Sequence, residues 1–152
     1  MQLQDVARAL AFVQEKAASW GGDPDRVILM GHSAGAHLVT LLDVSPFSQF
    51  NPRPRPVLGT VSLDSAAMDV EQVMTPGSAP VLSVYSTRRD DATRQTQQFA
   101  AKGKSLGLRI ETLGQDLSHG DINGQLGLDN AYTRQVETFM ASLDAKVAQL
   151  LR

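Results

Sequence analysis

The stretch Val27-Ile28-Leu29-Met30-Gly31-His32-Ser33-Ala34-Gly35-Ala36-His37-Leu38 decides the fold of this 152-residue chain. Val27 to Met30 is an apolar run without alternation, which suits a parallel strand buried on both faces. Ala34 to Leu42 reads as a helix with small residues at its start. Between them, Gly31-His32-Ser33-Ala34-Gly35 has the G-x-S-x-G spacing of a sharp strand-to-helix turn, which lifts a serine hydroxyl above the end of a sheet. The glycines are there for steric reasons, since a bulkier side chain at Gly31 or Gly35 is expected to crowd the turn. The helix beginning at Ala34 aims free N–H groups and its positive dipole end at the same spot. That makes the Ala34 N–H a candidate donor to an oxyanion. Three fixed positions in five also arise by chance, and a Gly-rich turn can simply pack tightly or hold a phosphate. The strand before the motif and the helix after it favour the nucleophile reading, with Ser33 as the reacting group.

Working outward, Val6, Leu10, Val13 and Ala17 recur at helical spacing, so residues 2–19 read as an amphipathic helix ended by Gly21-Gly22. Residues 45–56 are Pro-rich and read as a loop, and residues 57–63 as a second strand ending at Asp64. A short helix is expected over 68–74, then a turn at Pro76-Gly77-Ser78 and a third strand over 81–85. A helix over 91–106, a fourth strand over 108–113, a loop holding Ser118-His119-Gly120 and a long helix over 130–150 complete the pattern. Strands alternating with helices imply an α/β fold, a parallel sheet of about four strands flanked by helices, as one domain over residues 1–152.

The formal net charge of -2 gives no electrostatic reason to expect nucleic acid or an anionic membrane as partner. No apolar run approaches the ~20 residues of a membrane span. The first residues show no secretory signal, so a cytoplasmic location is the default expectation. Cys is absent, which excludes disulfides, thiolate metal sites and a Cys nucleophile. No metal or organic cofactor is implied.

A serine nucleophile needs a base, and the base an orienting acid. The chain has 3 His. His32 lies inside the turn, where its position next to Ser33 is expected to point it elsewhere. His37 is one helical turn on and reads as a packing or capping residue. His119, in a loop after the fourth strand, is the candidate base. The acid should fall between Ser and His in the chain. Asp90 is closest to the end of the third strand and is the first choice. Asp91 is the alternative and also a natural N-cap. Asp64 follows the second strand and comes third, with a structural acceptor as its plainer role. Asp90 and Asp91 also sit beside Arg88 and Arg89, as a surface ion-pair cluster would.

These residues together resemble the serine esterase and lipase branch of the α/β-hydrolase fold. Trp20 to Arg26 followed by Val27 to Leu38 is similar to the entry into the nucleophile turn of those enzymes. Pro80 to Tyr85 followed by Asp90 resembles their acid-bearing strand, and Leu117-Ser118-His119-Gly120 their histidine loop. The Gly-His-Ser-Ala-Gly form also resembles arylformamidase-like and feruloyl-esterase-like groups. The resemblance implies a serine carboxylesterase acting through an acyl-enzyme on a small-molecule ester. An amide hydrolase is the alternative, and so is a non-catalytic truncated domain acting through oligomerisation. It extends only to the C-terminal half of the usual fold, which normally has about four strands ahead of the nucleophile strand and a second oxyanion donor among them. A truncated α/β-hydrolase fold is therefore expected, either as a fragment or as a minimal variant. The nucleophile strand would then have a bare apolar edge, which predicts a homodimer pairing through it. Pro46 to Pro56, with Phe47 and Phe50, reads either as the wall of an acyl pocket or as a surface connection.

Overall fold

A computed structural model describes residues 2–65, 70 and 72–151. Leu3, Val6, Ala7 and Leu10 line one side of helix α1 (Gln2–Lys16) and pack with Leu42, Phe50 and Val57. The predicted helix over 2–19 tightens after Lys16 into a 3-10 turn, Ala17–Trp20. Gly21 closes it with a left-handed φ of 80°, a conformation glycine adopts without steric cost.

Four parallel strands follow in chain order: β1 (Ile28–His32), β2 (Gly59–Leu63), β3 (Val81–Ser86) and β4 (Ile110–Gln115). Helices α2 (Ala34–Val44) and α3 (Asp90–Ser105) pack on one face. On the other face Val61, Leu63, Leu82 and Val84 meet Ile122 of α4 (His119–Gly124) and Tyr132, Val136 and Phe139 of α5 (Ala131–Ala141). Burial of each such large apolar side chain contributes roughly 1.5–3 kcal/mol. The face toward α2 also holds polar groups in contact: Thr60 Oγ1 donates to Asp43 Oδ2 at 2.8 Å and the Ala79 N–H to Asp43 Oδ1 at 3.0 Å.

Burial on both faces, expected of β1, is instead the property of β2, where every residue is buried, and of most of β3. β1 is an edge strand, and Met30 stands beyond the cover of α4 and α5, 43% exposed. The helix expected over 68–74 lies largely outside the described residues. The expected C-terminal helix is two: after α5 the chain breaks, and Asp144 accepts from the Lys146 and Val147 N–H groups to start α6 (Ala145–Leu150). Leu150, at the end of that expected helix, is exposed. His119 is not in an open loop but opens α4, behind a Ser118 cap. Among the described residues no helix is long and apolar enough to cross a membrane.

Candidate active site

Parallel strands bring the residues following β1, β2, β3 and β4 to the same end of the sheet, and the candidate groups gather there. Ser33 sits between β1 and α2 with φ 57° and ψ -119°. Asp64, directly after β2, has φ 44°, and these are the positive-φ non-glycine residues among those described. Backbone held in such regions is costly and clusters at functional sites. Adjacent strands hold the two together: the Ser33 N–H donates to the Leu63 carbonyl at 3.0 Å, one residue from Asp64.

The two glycines of the turn differ. A Cβ on Gly31 would lie 2.5 Å from the Gly35 carbonyl carbon and 2.8 Å from the Ala36 nitrogen, so only glycine fits. A Cβ on Gly35 meets nothing within 4 Å, which corrects the expectation of crowding there. The first helical bond of α2 runs from the His37 N–H to the Ser33 carbonyl, leaving the Ala34 N–H at the free amino end of the helix. Ala34 itself is exposed.

His119 is fixed from several sides. Ser118 Oγ accepts from the Asp121 N–H at 3.1 Å and donates to Asp121 Oδ2 at 2.6 Å, setting the start of α4. Ser86 Oγ donates to the Leu117 carbonyl at 2.6 Å and ties this segment to β3. His32 packs against His119. Its Nε2 lies 2.9 Å from the His119 carbonyl oxygen, and the two rings pack with centroids 4.5 Å apart. A main-chain carbonyl only accepts, so His32 donates from Nε2.

The His119 ring meets Asp64. Its Nδ1 is 2.5 Å from Asp64 Oδ2. Asp64 Oδ1 accepts from the Ser86 N–H at 3.0 Å, and Oδ2 also accepts from Arg89 Nη1 at 2.9 Å. The Asp64 side chain is 0% exposed, which makes these donors decisive. Burial pushes its pKa up, but the Ser86 N–H, His119 and Arg89 outweigh that and hold it below the usual carboxylate range. Tyr132 lies close enough to sense the charge: burial, and then Asp64, push its hydroxyl up to about 12.

Asp90 and Asp91, the carboxylates expected to face the base, are both exposed at the start of α3. Asp91 pairs with Arg89 at 3.0 Å, and Arg88 with Asp116 at 2.7 Å, as a surface cluster would. The residue that the β3 end sends toward His119 is Arg89, a cation that sequence reasoning placed on the surface. The segment Pro46 to Pro56 lines a cavity of about 510 Å³ with Asp43 and Pro80, but these residues lie at the opposite end of the sheet. It therefore does not wall an acyl site beside Ser33. Among the described residues no three His, Asp or Glu side chains are grouped to hold a metal ion.

Residues 1–74 match the model of the Carboxylesterase family. A truncated form of a carbohydrate esterase from gut microbiota superposes with a TM-score of 0.79 at 14% identity, over 93% of this chain and 68% of that one. The chain shares the α/β-hydrolase fold with this esterase. A thermophilic esterase from Thermogutta terrifontis is similar, with a TM-score of 0.71 at 19% identity over 93% of this chain and 63% of that one. In sequence, Esterase LipQ of Mycobacterium tuberculosis (strain ATCC 25618 / H37Rv) is 40% identical over 81 residues, 53% of this chain and 16% of LipQ. Gut esterase 1 of Caenorhabditis briggsae is 48% identical over 46 residues, 30% of this chain and 8% of that protein. The chain thus covers 16% or less of the length of these curated relatives.

Proposed function

We propose that this α/β-hydrolase cleaves carboxylic esters through an acyl-enzyme on Ser33, with His119 as base and Asp64 as the acid that orients it. The observation that carries the reading is the 2.5 Å contact between His119 Nδ1 and Asp64 Oδ2 beside the strained Ser33 turn. An ionised carboxylate only accepts, so Nδ1 carries the proton and Nε2 keeps its lone pair for the Ser33 hydroxyl. The esterase relatives support the bond class. The His119 side chain is 40% exposed, which leaves it open to a substrate arriving at the sheet edge.

In the proposed cycle Ser33 Oγ attacks the ester carbonyl while His119 Nε2 takes its proton. Asp64 stabilises the imidazolium without taking a proton itself. The Ala34 N–H donates to the oxyanion of the tetrahedral intermediate. Collapse breaks the carbon–oxygen bond of the ester, and the departing alkoxide takes the proton from Nε2. Water then attacks the acyl-Ser33 ester, again with His119 as base, and frees the acid.

Ser33→Ala is expected to abolish hydrolysis of p-nitrophenyl acetate, and a fluorophosphonate is expected to label Ser33 stoichiometrically in the unaltered chain. Retained hydrolysis in Ser33→Ala would refute the nucleophile. An unlabelled Ser33 would support a domain that keeps the turn for packing only.

A further inference from the structure

We propose that Arg89 is a positioning residue of this site: anchored on Asp91, its guanidinium holds the Asp64 carboxylate in the orientation that receives His119. The inference rests on the Ser33, His119 and Asp64 reading and adds a fourth member to it.

Arg89 lies at the N-cap position of α3, where its N–H donates to the Ser86 carbonyl at 3.2 Å. The side chain runs back across the sheet end rather than out to solvent, and is 28% exposed. Nη1 donates to Asp64 Oδ2, the oxygen that His119 Nδ1 also uses. Nη2 donates to Asp91 Oδ2 at 3.0 Å. A planar guanidinium held on two nitrogens has little freedom left, so its fork acts as a fixed plate against the carboxylate. With Oδ1 taken by the Ser86 N–H, both oxygens of Asp64 are pinned and the carboxylate cannot swivel away from the ring.

The same geometry argues against a merely stabilising ion pair. Arg89 Nη1 stands 3.3 Å from His119 Nδ1. When Nδ1 carries its proton both are donors, and neither can accept from the other. Two donors this close are tolerated only with an acceptor between them, and the shared Asp64 Oδ2 is that acceptor. The other charged or titratable groups around His119 are Asp64 from the end of β2, His32 from β1, Asp121 on α4, Tyr132 on α5, and Arg88 with its partner Asp116.

The test compares the unaltered chain with Arg89→Met and Arg89→Lys in two readouts. One is the pH profile of p-nitrophenyl acetate hydrolysis. The other is the titration of the His119 imidazole followed by nitrogen-15 NMR, which needs no turnover. Arg89→Met is expected to raise the His119 midpoint, the direction that follows from removing a cation 3.3 Å from Nδ1. The acid limb of kcat/KM should move with it, and kcat should fall while KM stays unchanged. Arg89→Lys keeps the charge without the fork and should return the midpoint toward its original value while recovering only part of kcat. An unshifted midpoint in a folded Arg89→Met protein would overturn the inference, whatever the ester assay gives. A shifted midpoint in a protein whose Ser33 is unreactive would instead remove the hydrolase reading and leave the coupling of Arg89 to His119 standing. Should Arg89→Met fail to fold, Asp91→Asn releases the outer anchor. It should move the midpoint in the same direction by a smaller amount, and no movement there would overturn the inference.

Discussion

Replacing Asp64 with Asn leaves donors converging on a group that can no longer accept from all of them. The Ser86 N–H uses Oδ1, while His119 Nδ1 and Arg89 Nη1 share Oδ2. If the amide oxygen stays with Ser86, the new NH₂ faces the guanidinium and the ring. His119 must then turn Nδ1 into an acceptor and move its proton to Nε2, where it can no longer take one from Ser33. If the amide flips, its NH₂ confronts the Ser86 N–H inside a site that is 0% exposed at Asp64. The wrong tautomer in a Ser-His-Asp triad costs about 10⁴ in kcat, or about 5 kcal/mol at 1.36 kcal/mol per tenfold. The stability loss should be smaller, about 1–3 kcal/mol, because Arg89 keeps Asp91 and some access to water. The assay is kcat for p-nitrophenyl acetate with urea unfolding in parallel, on Asp64→Asn, Asp90→Asn and Asp91→Asn. Asp90→Asn should stay within about 0.5 kcal/mol in stability, as exposed substitutions do, and keep its kcat. A collapse of kcat in Asp90→Asn with activity surviving in Asp64→Asn would refute the assignment of the acid to β2.

The two glycines of the turn should separate in denaturant unfolding. Gly31→Ala is expected to lose about 1–3 kcal/mol or more, because its Cβ meets backbone rather than a movable side chain. Gly35→Ala, in open space on a helix, is expected to be neutral or to gain up to about 1 kcal/mol. Asp43 should make stability pH-dependent, since burial pushes its carboxyl up to about 7 against Thr60 and Ala79, which pull it down. A folded state that binds the proton more tightly than the unfolded chain gains stability as pH falls from above 7 toward the ordinary carboxylate range. Urea midpoints from pH 8 to pH 5 should therefore rise in the unaltered chain and flatten in Asp43→Asn. The open edge of β1, with Met30 exposed on it, predicts pairing of two copies through Ile28–His32, and sedimentation velocity at micromolar concentration should show a dimer. A compact monomer there would remove that expectation.

The amino-acid sequence by itself determined the parallel α/β architecture and the turn that presents Ser33. Both are local: an apolar run, a glycine that only a tight turn requires, and a helix start lie within a dozen residues, so neighbours along the chain dictate the geometry. His119, the proposed base, was legible for a different reason, since few histidines compete for that role. The carboxylate that meets His119 was not legible, because the choice among Asp64, Asp90 and Asp91 depends on which strand end turns toward the ring. That is decided by the positive φ of Asp64, by the Ser86 N–H on the neighbouring strand, and by Arg89 taking the place expected for a carboxylate. The uncovered face of β1 at Met30 and the break before Asp144 were hidden likewise, since an apolar pattern records what a segment can bury and not whether a neighbour arrives to cover it. Tertiary structure decided which side chains gather at the strand ends by the Ser33 turn, because Asp64, Arg89 and His119 are far apart in the chain and meet only once the strands lie side by side.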